Sequence, residues 1–158
     1  VIRIWAGEKS PRDCDESHIN RIVINSVYMA KQAKQHSIRL GFEYHQNTLT
    51  ENAESAVALI NRINMNNVGL YWQPNGMITP NENLKERNLV LPYSVGNMHI
   101  HNYCVKNGYQ PLSDIRENLY MYFDDIKKQP YNIMIEFVKD SILENFIADV
   151  KVLRELLV

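Results

Sequence analysis

The chain has 158 residues, 45 % of them hydrophobic and 22 % charged, with a formal net charge of −1. That is one domain's worth of material, and its near-neutral balance argues against a nucleic-acid partner, which takes clustered Lys and Arg. No apolar run approaches the roughly 20 residues of a membrane span, and no basic-then-apolar leader opens the chain. Cys14 and Cys104 form no C-x-x-C pattern, which fits a reduced, cytoplasmic protein better than a disulfide scaffold.

In chain order, the periodicity alternates between strand and helix. Residues 1–6 (VIRIWA) form a short β-rich run ended by Gly7. Residues 15–35 repeat apolar residues at helical spacing, with Asp13 or Asp15 as N-cap. Residues 38–44 (IRLGFEY) are the next strand, and a helix from about Ala53 to Ile63 follows, with Thr50 read as its cap. Residues 67–72 (NVGLYW) predict a strand stopped by Pro74, and residues 81–88 a short helix. A strand over 95–101 (VGNMHIH), a helix over 112–128, a strand over 131–138 (YNIMIEFV) and a helix over 141–157 complete the chain. Five strands alternating with five helices imply α/β architecture with a parallel sheet, because parallel strands need crossovers that helices usually supply.

In such folds ligands sit beyond the carboxyl ends of the strands. Four successive strands end there in residues foreign to a core: Glu43-Tyr44-His45, Gln73-Pro74, His99-Ile100-His101 and Glu136. A glutamate among large apolar neighbours is expensive unless it is paired or bound to a cation. Convergent Glu, Gln, His and Glu make an oxygen-rich donor set with one nitrogen, which suits Mn²⁺, Mg²⁺ or Co²⁺ better than structural zinc. His99 and His101 share strand parity, so either can face the site. Any of these residues taken singly has an ordinary alternative, as a solvent-facing glutamate or a hydrogen-bonded structural histidine; the coincidence over four strands carries the reading.

At these residues the sequence resembles the xylose isomerase-like TIM barrels, the sugar (phosphate) isomerase/epimerase superfamily. The resemblance rests on ordered motifs: Arg3-Ile4-Trp5-Ala6-Gly7, Phe42-Glu43-Tyr44-His45 with Thr48-Leu49-Thr50, Val68-Gly69-Leu70-Tyr71-Trp72-Gln73-Pro74, Asn97-Met98-His99-Ile100, and Ile135-Glu136-Phe137-Val138-Lys139-Asp140. It implies a divalent metal (Mn, Mg, Co or Zn) held by Glu43, Gln73, His99 and Glu136, with Gln73 standing where many members have Asp and His101 as the competing ligand. Glu43 and Glu136 are then also the catalytic pair, moving protons on a sugar or sugar phosphate. His45, Trp5, Trp72, His101 and Lys106 become the expected substrate contacts, although core packing is an equal reading for each Trp and simple solvation for Lys106.

A complete barrel of this kind needs about 250 residues and eight βα units. The five present match units four to eight, so the chain reads as the C-terminal part of a xylose isomerase-like TIM barrel and as a single domain over residues 1–158. A partial barrel leaves its first and last strands unpaired on one side, and such edges invite a second copy. Two other functions stand beside the isomerase/epimerase: a catalytically inactive truncated barrel serving as an assembly module, and an abasic-site endonuclease-like hydrolase. The hydrolase needs a multinuclear metal cluster and a basic surface, against which the five histidines and the charge of −1 count.

Overall fold

The computed structural model describes residues 1–157. Five parallel strands lie in the sheet order β1 (Ile2–Ile4), β2 (Leu40–Phe42), β3 (Val68–Trp72), β4 (Ser94–Ile100) and β7 (Asn132–Ile135). Helices α1 (Glu16–Gln35), α2 (Ala53–Ile63), α3 (Pro80–Val90), α4 (Arg116–Phe123) and α5 (Leu143–Leu157) alternate with them. This is the parallel α/β sheet that the alternation predicts, in the form of the partial (β/α)8 barrel that the motif resemblance implies. A short antiparallel hairpin, β5 (Asn102–Cys104) and β6 (Gly108–Gln110), follows β4 and was not expected from periodicity. The chain divides into two compact units, one of Val1–Trp72 with Asn88–Val95, the other of Gln73–Arg87 with the chain from Gly96 onward. No helix among the described residues is long and apolar enough to cross a membrane.

In the first unit β1, β2 and β3 run in register, with Ile4 beside Phe42 and Phe42 beside Leu70. All five residues of β3 are buried, as a strand covered on both faces must be, so it reads as a continuous apolar run. α2 packs on β3 and α1 on α2, with Ala56, Leu59 and Ile63 of α2 buried. The caps are local and chemical. Asp15 accepts the His18 N–H at 2.6 Å to start α1, which decides between the two aspartates. α2 is capped by Asn52, whose side chain accepts from the Ser55 N–H at 3.0 Å. Thr50, read from sequence as that cap, has another partner: its hydroxyl donates to the Glu43 carbonyl at 2.6 Å.

In the second unit β4 pairs with β7 so that His99 stands beside Met134 and Ile100 beside Ile135. The predicted helix over 112–128 is broken, with a 3-10 turn at Leu112–Ile115 ahead of an α4 that stops at Phe123. The turn is tied to α5 by Asp149, whose Oδ1 accepts the Leu112 N–H at 2.8 Å. Asp149 is buried and its other oxygen has no hydrogen-bond partner, so burial pushes its pKa up, with the Leu112 N–H opposing and Asp114 adding to the rise. The folded protein therefore holds this proton more tightly than the unfolded chain. Stability contributed here falls as pH rises from the ordinary carboxylate range through the raised folded value. Asp149→Asn keeps a carbonyl acceptor without the charge. Melting curves between pH 4 and 7 are expected to show the wild type losing stability relative to Asp149→Asn as pH rises; parallel curves would refute the assignment.

Candidate functional site

In the first unit the strand-end carboxylate is Glu43, one residue past β2. The Glu43 N–H donates to the Ile4 carbonyl at 2.9 Å, extending the β1–β2 ladder by one step. That register sets Glu43 beside Trp5, and period-two alternation puts Arg3, Trp5 and Glu43 on one face. Arg3 Nη1 donates to Glu43 Oε1 at 3.1 Å, and the Trp5 indole N–H donates to Oε2. Glu43 is 1 % exposed, so this cation and N–H dipole stand where water would otherwise solvate the carboxylate. Gly41, two residues earlier on β2, lets the Tyr71 ring pack against the strand: a Cβ there would lie 2.3 Å from it. Beyond Glu43 the chain is pinned by hydroxyls, Thr50 to the Glu43 carbonyl and Thr48 to the His45 carbonyl at 2.7 Å. His45 stacks on Trp5, with ring centroids 4.5 Å apart, and its Nδ1–H donates to the Gln46 carbonyl. Trp5 is half exposed, whereas Trp72, expected as a possible pocket wall, is fully buried at the end of β3.

The second unit gathers four of the predicted residues. The Glu136 N–H donates to the Ile100 carbonyl at 3.1 Å, one step beyond the β4–β7 pairs, which sets Glu136 beside His101. His99, His101 and Glu136 therefore share a face. His99 Nδ1 lies 3.1 Å from Gln73 Oε1 and 3.4 Å from Glu136 Oε1. His101 Nδ1 lies 3.6 Å from Glu136 Oε2. Gln73 leads into a loop fixed by Asn83, which is buried and both accepts the Asn75 N–H at 2.7 Å and donates to the Asn75 carbonyl at 3.0 Å. Lys106 stands exposed in the turn between β5 and β6.

The donor set suits a small, hard divalent cation. Adjacent ligand atoms about 2.0–2.1 Å from an octahedral ion lie about 3 Å apart, close to the His99–Gln73 and His99–Glu136 separations. Two neutral donors and one carboxylate carry less charge than a set with Asp in place of Gln73, and would hold a cation more weakly. His101 Nδ1 is buried without a hydrogen-bond partner, as an imidazole poised for a ligand would be.

Sequence reasoning missed several participants. Arg3, the ion-pair partner of Glu43, is 40 residues away from it. Tyr109 and Phe137 flank His101, edge-on at 5.7 Å and 6.4 Å between centroids. Burial, and after it the nearby Glu136 and Tyr103, raise the Tyr109 pKa. The run Asn102-Tyr103-Cys104…Gly108-Tyr109-Gln110, two alternating triplets around a Gly-containing turn, was the available signal for the hairpin that brings Tyr109 there.

No protein-family model matches the chain, and neither does any curated protein. Solved structures do. One is the probable 3-DHS dehydratase AsbF, involved in petrobactin synthesis, from Bacillus anthracis, at a TM-score of 0.78 and 16 % identity over 97 % of this chain and 62 % of that one. The fold is that of the xylose isomerase-like TIM barrels. A protein so described from Mycobacterium smegmatis, in complex with magnesium, matches at a TM-score of 0.62 and 22 % identity, over 92 % of this chain and 53 % of its own. The chain thus spans between half and two thirds of the length of these two proteins.

Proposed function

We propose that this chain is part of a sugar-modifying enzyme, an isomerase or epimerase of sugars or sugar phosphates that works with a divalent metal. The observation that carries the reading is that His99 Nδ1 lies 3.1 Å from Gln73 Oε1 and 3.4 Å from Glu136 Oε1, close to the spacing of neighbouring ligands of one cation. Glu43 is the proposed fourth ligand. It is proposed on the motif resemblance alone; within its own unit the buried carboxylate is already paired with the Arg3 guanidinium. A magnesium complex of a xylose isomerase-like protein points the same way for the metal's class.

When bound, the cation supplies Lewis acidity that polarises a carbonyl and makes the neighbouring C–H more acidic. Glu136 then takes the proton from that carbon, and the electron pair left behind gives an enediolate. For isomerisation Glu136 returns that proton to the adjacent carbon; epimerisation needs a second, proton-bearing group on the opposite face, for which Glu43 is proposed. Arg3 and the Trp5 N–H fix Glu43 for that role, since a ligand carboxylate free to rotate would not hold its geometry. His45 and His101 are the proposed hydrogen-bonding partners of substrate hydroxyls. The ends of the sheet, β1 and β7, are proposed as pairing edges for a further chain, consistent with the half-exposed Ile2 on β1.

The likeness to a probable 3-DHS dehydratase favours a second reading. Proton removal beside a carbonyl followed by loss of a β-hydroxyl as water uses the same carboxylate, the proton that Glu136 takes going to the departing hydroxyl. An enone product absorbing in the ultraviolet distinguishes it from isomerisation.

The test is metal content of the 158-residue chain purified without chelator, beside Glu136→Ala. About one equivalent in the wild type and none in the variant is expected. No metal in either would overturn the reading and leave an assembly module, while two or more per chain would favour the hydrolase.

A further inference from the structure

Asparagine followed by glycine occurs twice in the chain, at Asn75-Gly76 and at Asn107-Gly108, and both pairs lie in the second unit. The first stands in the loop that begins with Gln73, the second in the turn that joins β5 to β6. Such a pair carries a chemistry of its own. The glycine main-chain nitrogen, once it has lost its proton, can attack the asparagine Cγ. An N–Cγ bond forms, the Cγ–Nδ2 bond breaks, and ammonia leaves. Water then opens the five-membered imide on one side or the other. One product is aspartate; the other is isoaspartate, whose main chain is one carbon longer. Glycine has no Cβ to obstruct the attack, and asparagine is a thermolabile residue for this reason.

The fold treats the two pairs differently. Ring closure turns the asparagine main chain and swings its side chain, so a clamp on either opposes it. Asn75 is held at three points. Its N–H donates to Asn83 Oδ1 at 2.7 Å, its carbonyl accepts from Asn83 Nδ2 at 3.0 Å, and its own Oδ1 accepts the Met77 N–H at 2.9 Å. Asn83 is itself buried. Gly76 is wedged as well: a Cβ there would lie 2.4 Å from the Tyr103 carbonyl oxygen. Asn107, by contrast, is exposed, and its side-chain amide has no partner among the described residues. A Cβ on Gly108 would meet nothing within 4 Å. The Asn107 main chain does donate to the Cys104 carbonyl at 3.1 Å and accept from Gln110 Nε2 at 2.8 Å. Those bonds close strands of only three residues, which open readily.

We propose that Asn107 is a site of spontaneous deamidation, and that the Asn83 clamp keeps the same dipeptide intact at Asn75-Gly76. Conversion at Asn107 adds a carboxylate beside Lys106. In the isoaspartate form it also lengthens the turn between the paired Cys104 and Gly108, which displaces Tyr109 from its edge-on contact with His101. Conversion at Asn75 would instead lengthen the loop that begins with Gln73, the partner of His99. The clamp therefore protects the candidate site, while the hairpin beside it ages.

Peptide masses of the 158-residue chain, incubated at 37 °C in mildly alkaline buffer and then digested, give both rates, because each conversion replaces an amide NH2 by OH. Asn107 is expected to convert at least tenfold faster than Asn75 in the folded chain, and the two rates to converge within threefold in concentrated urea. Equal rates in the folded chain, a faster Asn75, or no conversion at Asn107 where urea permits it overturns the site. Asn83→Asp keeps an acceptor for the Asn75 N–H but loses the donor to its carbonyl. It should raise conversion at Asn75 at least threefold with Asn107 unchanged; no rise, or an equal rise at both, overturns the clamp. The comparison of the unaltered chain with and without urea stands even where that variant fails to fold. Isoaspartate-containing chain, separated by its extra negative charge, should exchange the amide hydrogens of residues 108–110 at least tenfold faster than unconverted chain. Equal exchange overturns the effect on the hairpin.

Discussion

His99→Ala is expected to lower affinity for Mn²⁺ at least 100-fold, whereas His101→Ala lowers it about tenfold. The two imidazoles sit on one strand face two residues apart, and parity does not choose between them. Geometry does. His99 Nδ1 is within 3.1 Å of Gln73 Oε1 and 3.4 Å of Glu136 Oε1, so losing it removes a donor central to the cluster. His101 Nδ1 lies 3.6 Å from the other oxygen of Glu136, beyond hydrogen-bond reach, so its loss is expected to act on that carboxylate only through charge and packing. Loss of an outer group around a metal costs about 10–100-fold, less than loss of a ligand. Titration calorimetry with Mn²⁺ on both variants decides the matter. A larger loss in His101→Ala would exchange the two roles and move the cation one step further along the β4 edge.

The second large effect concerns stability. Arg87 of α3 is 1 % exposed, yet its guanidinium is charged at any working pH. It donates to the Tyr122 carbonyl and forms a fork on Asp125, with both N···O distances 2.6 Å. Asp125 is itself 62 % exposed, so water already shares in solvating the pair. Removing the carboxylate leaves a buried cation short of its counter-charge. That costs about 3–5 kcal/mol in a wholly buried pair. Exposure of Asp125 reduces the figure here, and Asp125→Ala is expected to cost about 2–3 kcal/mol. In an Arg87→Met background the same substitution is an ordinary surface change, within about 0.5 kcal/mol. Urea unfolding of the four proteins in this double-mutant cycle measures the difference. Additive costs would mean that the fork contributes nothing beyond packing.

The same pair carries a pH signature opposite to that of Asp149. The Arg87 hydrogen bonds hold the Asp125 pKa below the usual carboxylate range, with burial opposing. A depressed acid contributes stability that is present above its unfolded value and lost as pH falls through the folded one. Asp125 therefore weakens the fold in acid, while Asp149 is penalised as pH rises.

Much of the architecture was legible because it follows from local chemistry. The period-two and 3.6 patterns marked all five sheet strands and the helices between them, and alternation alone required a parallel sheet. The foreign residues at strand ends, Glu43, Gln73, His99, His101 and Glu136, stood out because a core does not keep such groups without a use for them. The errors arose where competing local options differ little. Thr50 and Asn52 are both good caps, and the loop settled the choice by giving the Thr50 hydroxyl to the Glu43 carbonyl. The hairpin strands of three residues each were too short for periodicity to register.

What the sequence by itself determined is the alternation, the order of the strands and the kinds of atom available at their carboxyl ends, since each depends on residues within a few positions of one another. Only the tertiary structure decided the partners. Arg3 reaches Glu43 across 40 positions of chain, and Arg87, on a helix polar enough to read as a surface element, is buried against Tyr122 and Asp125 more than 30 positions away. Gln73 and His99, 26 positions apart, come within hydrogen-bond distance in the same way. Strand register and helix packing set these distances, and both emerge only when the whole sheet pairs at once.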